Sequence, residues 1–167
     1  MQRPSPEDLG EPALSIGGLR LWIHGRQLPD AIDYYDGNWL RVTVHCGASG
    51  ASVWAQGAIL MTTDIERFAG QCKELLRGNT TGAALDPLEP KLRVTITAVD
   101  RLGHLRARVE ITPDHISQSH TVEFEIDQSY LPDLIDQCSL ILRAHPIRGR
   151  GDDGGSDQSP PAPPRSG

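Results

Sequence analysis

Three aspartates and two tyrosines crowd one stretch of this chain: Asp30, Asp33 and Asp36 surround Tyr34 and Tyr35 in Gln27-Leu-Pro-Asp-Ala-Ile-Asp-Tyr-Tyr-Asp-Gly-Asn-Trp39. Carboxylates accept charge-assisted hydrogen bonds from cationic groups, and aromatic rings supply large apolar contact area, so the stretch suits docking onto a basic protein. The same residues can instead bond their own backbone as turn formers, and the sequence leaves both readings open. Catalysis has less to work with. Gly-x-Ser-x-Gly and Gly-x-x-x-x-Gly-Lys are both absent. A carboxylate pair built from Asp33, Asp36 and Glu89 needs the fold to assemble it, since spacing alone does not. A non-catalytic protein is expected.

Metal chemistry is equally short of ligands. Cys46, Cys72 and Cys138 stand far apart with no Cys-x-x-Cys pair, and none of the six histidines forms a His-x-x-x-His pair. His45 and Cys46 are adjacent, but neighbours on a strand point to opposite faces and cannot share an ion. The cysteines read as buried thiols, and no metal or cofactor is expected. With 22 acidic against 16 basic side chains the formal charge is −6, which repels nucleic acid. No window approaches the roughly 18 apolar residues of a membrane span, and residues 1–8 lack the apolar core of an export signal, so a cytoplasmic protein is expected.

The elements that must position these residues follow from periodicity. Alternation at Leu19, Leu21 and Ile23, at Leu40, Val42, Val44 and Cys46, and at Val53, Ala55 and Ile59 predicts three strands. Ile65, Phe68, Cys72, Leu75 and Leu76 then fall on one helical stripe. Thr63 and Glu66 suggest a capping box at its start and Gly78 a left-handed stop. Three more strands follow around Leu92 to Ala98, Leu105 to Ile111 and Val122 to Ile126. A last helix begins near Ser129, tolerates Pro132 in its first turn and ends before Pro146. The order βββαβββα predicts an α+β fold: an antiparallel sheet of about six strands with both helices packed on one face.

On the outer face of the last three strands Arg93, Arg106, Arg108, Glu110, Glu123 and Glu125 mix charges, as a solvated surface does. On the first three strands the alternation places Trp22, Trp39 and Trp54 together on that face. Either residues from the N-terminal segment or the 30–36 loop cover these indoles, or they form a partner or homodimer surface. The site residues expected to meet a partner are therefore Asp30, Asp33, Tyr34, Tyr35, Asp36, Trp22, Trp39 and Trp54.

At Gly25-Arg-Gln-Leu-Pro-Asp, Asp36-Gly-Asn-Trp-Leu40, Leu88-Glu-Pro90 and Asp127-Gln-Ser-Tyr-Leu-Pro-Asp-Leu-Ile135 the chain resembles the WapI-type immunity-like proteins of bacteria, from about Leu19 to Leu142. None of these segments is a catalytic signature. The resemblance implies a small cytoplasmic protein that binds and neutralises a toxin, as some relatives are described to do. The alternative is a structural or regulatory domain that self-associates through the tryptophan face. In either case the expected organisation is a flexible lead over residues 1–12, one α+β domain over 13–147 and a disordered Gly/Pro/Ser/Asp-rich tail over 148–167.

Overall fold

A computed structural model describes residues 5–150 of the chain. Leu14 and Ile16, both fully buried, flank Ser15 in the short strand β1 (Leu14–Ile16). Gly17 and Gly18 turn the chain into β2 (Leu19–Arg26) under the Phe124 ring. A Cβ on Gly17 would come within 2.5 Å of that ring, and one on Gly18 within 2.0 Å of the Gly47 carbonyl, so only glycine fits here. Strands β3 (Trp39–Ala48) and β4 (Ala51–Met61) follow, joined by a two-residue turn at Ser49-Gly50. Consecutive strands pair antiparallel in the order β1-β2-β3-β4.

Helix α1 (Thr62–Leu76) turns its stripe of Ile65, Phe68, Cys72 and Leu75 into the core. Its start differs from the expected Thr63/Glu66 box. Asp64 accepts the Met61 N–H at 2.8 Å, so the third helical residue rather than the fifth closes the first turn, and Glu66 points instead to Arg150. The end is as expected: Gly78 has φ +78°, with Gly78 N–H bonded to the Leu75 carbonyl and Asn79 N–H to that of Glu74.

The second half repeats the plan. Strands β5 (Gly82–Leu85), β6 (Leu92–Ala98), β7 (His104–Ile111) and β8 (Thr121–Asp127) form a second antiparallel sheet in the order β5-β6-β7-β8, and α2 (Tyr130–Ala144) follows it. The fold class is α+β, but the single six-stranded sheet is corrected to two sheets of four strands. The strands missed are β1 and β5, of three and four residues, too short to show a period.

The helices cross between halves. α1 packs beside α2 and against β5 of the second sheet, while α2 packs against β1 of the first. Each helix offers a glutamine to the edge strand it covers: Gln71 Oε1 accepts Ala84 N–H at 2.8 Å, and Gln137 Oε1 accepts Ser15 N–H at 2.9 Å. Both glutamines precede a buried cysteine, Cys72 and Cys138, so Gln-Cys recurs at equivalent places. Side chains from both sheets and both helices join one hydrophobic cluster.

Candidate partner-binding site

The loop of residues 27–38 is positioned by an irregularity in β2. Register between β2 and β3 shifts between Ile23 and Gly25, leaving His24 as the extra residue, so the side chains beyond it change faces. Arg26 is thereby turned inward opposite Leu40 and is only 9% exposed. Its guanidinium donates to the Gly37 carbonyl at 2.6 Å and to the Pro146 carbonyl. Among the described residues no carboxylate neutralises it; burial first, and then the neighbouring Arg148, lower its pKa from the ordinary arginine value.

Asn38 ties the two ends of this region together. Fully buried, it donates to the carbonyls of Tyr34 (2.7 Å) and Arg148 (2.9 Å), and its oxygen accepts from Thr62 Oγ1 (3.0 Å) and Arg148 N–H (2.9 Å). The segment after α2 thus runs back over the loop. Arg148 spends its guanidinium on the Pro29 and Ala31 carbonyls, at 2.5 and 3.0 Å. Gly149 crosses the loop backbone with φ +64°, where a Cβ would meet Tyr34 N at 2.3 Å. Residues 148–150, placed in the tail by sequence, are engaged with the loop and with Glu66; residues 151–167 lie outside the described residues.

Within the loop, Asp33 Oδ1 accepts the N–H groups of Tyr35 (2.9 Å) and Asp36 (2.7 Å), so this aspartate serves as a turn former. Asp30 and Asp36 are exposed, and among the described residues no ion pair engages any of the three aspartates. Tyr34 and Tyr35 meet edge to face, centroids 5.5 Å apart, and Ile32 and Tyr35 stand 81% and 71% exposed. A loop held rigidly from below therefore presents apolar anchors and carboxylates to solvent, the combination that receives lysine and arginine side chains.

The tryptophans divide. Trp22 is 4% exposed, its Nε1–H donates to the Gly10 carbonyl at 3.0 Å, and its ring stacks on Trp54 with centroids 6.1 Å apart. His45 leans on Trp54 at 4.2 Å, and burial, then Arg20, lower its pKa. The residues just before β1 thus reach over Trp22, and the chain from Pro6 to Leu9, within the expected lead, forms a 3-10 turn. Trp39, half-buried at the start of β3 opposite Met61, stands four residues from Thr43, the residue paired with Trp22.

The assembly of carboxylates considered for catalysis does not come about through direct contacts. Asp33 and Asp36 belong to the β2–β3 loop and Glu89 to the β5–β6 connection of the other sheet, and no hydrogen bond or ion pair among the described residues joins Glu89 to either. The three cysteines are free and buried; burial pushes Cys46 up to about 11 and Cys72 and Cys138 to about 12.

Sequence reasoning missed Arg26, Asn38, Thr62 and Arg148, the residues that fix the loop. A clue lay in Asp36-Gly-Asn-Trp-Leu40, where a polar amide directly precedes an apolar alternation. Residues 13–146 match the immunity protein WapI-like family, which spans both sheets, both helices and the loop. The chain belongs to this family. No match was found among curated proteins or among solved structures. No helix among the described residues is long and apolar enough to cross a membrane.

Proposed function

We propose that this member of the immunity protein WapI-like family is a non-catalytic, cytoplasmic protein-binding domain that inhibits a basic toxin by docking it on the loop of residues 27–38. The observation carrying this reading is the pairing of a rigid base with an open crest: Arg26, Asn38 and Arg148 lock the backbone, while Ile32 and Tyr35 stand exposed and, among the described residues, the Asp30 and Asp36 carboxylates have no hydrogen-bond or ion-pair partner. Preorganisation lowers the entropy lost on binding, and unpaired carboxylates speed encounter with a cationic partner. Family membership and the net charge of −6 point the same way. Trp39, where the loop enters β3, extends the surface, whereas Trp22 is covered by the chain itself and Trp54 stacks on it toward the β3–β4 turn.

The test is capture of partners from the native lysate by the full chain, followed by binding of the captured protein in purified form. Asp30→Lys with Asp36→Lys should weaken that binding by at least about a hundredfold, or about 2.7 kcal/mol, and flatten its salt dependence. Asp33→Asn, which keeps the turn, should have a small effect. Equal affinity of the double variant, or recovery of nothing but the protein itself, would overturn the reading.

A further inference from the structure

Four strands have an outer edge, and three of these edges are engaged from within the chain. Gln137 and the Tyr130 hydroxyl accept N–H groups at Ser15 and Gly17 along β1, Gln71 accepts Ala84 of β5, and Lys91 donates to the Gln56 carbonyl of β4. The edge of β8 is different. The Ile111 N–H to His120 carbonyl bond (3.0 Å) and the Gln128 N–H to Gly103 carbonyl bond (2.8 Å) bracket this strand and fix its phase. Even-numbered residues therefore direct their amides to β7, and Thr121, Glu123, Glu125 and Asp127 direct theirs outward. Among the described residues no side chain or backbone group engages those outward N–H groups.

The charge pattern beside that edge says what fits it. On the outer face, β7 sets His104, Arg106 and Arg108 opposite Asp127, Glu125 and Glu123, a basic row against an acidic row. A further strand beside β8 gains most by continuing the alternation with a second basic row. Another copy of β8 would set acid against acid, and the tail beyond residue 150 carries Asp152, Asp153 and Asp157 against the single cation Arg165, so it supplies no basic row. On the inner face Val122, Phe124 and Ile126 remain half-buried, so apolar residues suit the alternate positions.

We propose that the β8 edge binds an extended segment of a protein partner by strand addition, the segment alternating lysine or arginine with β-branched apolar residues. This surface is separate from the 27–38 loop and does not depend on it.

The full chain is titrated with a labelled peptide, acetyl-Thr-Lys-Val-Arg-Val-Lys-Thr-amide, beside a glutamate-for-cation version and a version N-methylated at the amides that would face β8. The basic peptide is expected to bind at least about tenfold more tightly than either control and to slow hydrogen exchange at Glu123 and Glu125. Glu125→Pro, which removes an outward N–H together with one carboxylate of the acidic row and leaves the amides bonded to β7 in place, should abolish this preference with the thermal midpoint unchanged. Should that variant fail to fold, Glu123→Lys with Glu125→Lys should transfer the preference to the acidic peptide. Asp30→Lys with Asp36→Lys should leave peptide binding intact, which separates this proposal from the loop reading. No binding, equal binding of the N-methylated peptide, exchange protection elsewhere, or a dimer through β8 in sedimentation would each overturn it; in the first case the acidic row is a guard against edge pairing only.

Discussion

Asn38 shows how much one buried amide can organise. Its two donors and its oxygen satisfy groups on the loop, on α1 and on the segment after α2, so truncation to alanine strands several polar atoms away from water. Asn38→Ala should cost about 2–4 kcal/mol in denaturant unfolding and, in hydrogen exchange, loosen residues 29–37 before the sheets. Asp33 carries a different lesson, since its carboxylate holds two backbone amides. Asp33→Lys would alter loop shape as well as charge, whereas Asp33→Asn should keep stability within about 1 kcal/mol of the parent, measured by thermal unfolding. The acidic and aromatic character of the loop was legible in the sequence, but its support was not. Arg26 reads as an outward residue until the bulge at His24 reverses the phase, and a bulge leaves no mark in hydrophobic periodicity.

At the level of elements, the long strands and both helices could be read because each spans seven or more residues and turns one side inward over most of that length. The division into two sheets could not. Strand pairing depends on long-range contacts, and the strands that complete each sheet are its two shortest. These short strands are held by side chains of helices from the opposite half. Gln137→Ala should free the Ser15 amide and Gln71→Ala the Ala84 amide, each at about 1 kcal/mol, with faster exchange at the freed amide. Because the two caps lie on different sheets, their costs in a double variant should add to within about 0.5 kcal/mol.

For the molecule as a whole, pH acts on the segment that closes the loop. His145, between α2 and Pro146, has its pKa lowered by burial and then by Arg26, and His45 by burial and then by Arg20. A histidine whose folded pKa lies below its ordinary 6.5 contributes stability that is present above that value and lost as pH falls toward the folded one. His104 has the opposite sign: its hydrogen bond to Asp100 raises its pKa, so its contribution is present below 6.5 and lost as pH rises through the raised value. Between pH 7 and about 5 the thermal midpoint should fall, and His145→Gln should reduce that slope. The crossing of the helices has a further consequence, for synthesis. A nascent chain that has reached only Gly78 carries α1 with its Gln71 amide and apolar stripe uncovered, since β5 and α2 have yet to leave the ribosome. Neither half can close its own core, so two polypeptides divided at residues 79–81 should each remain unstructured when made alone and regain the native fold when made together.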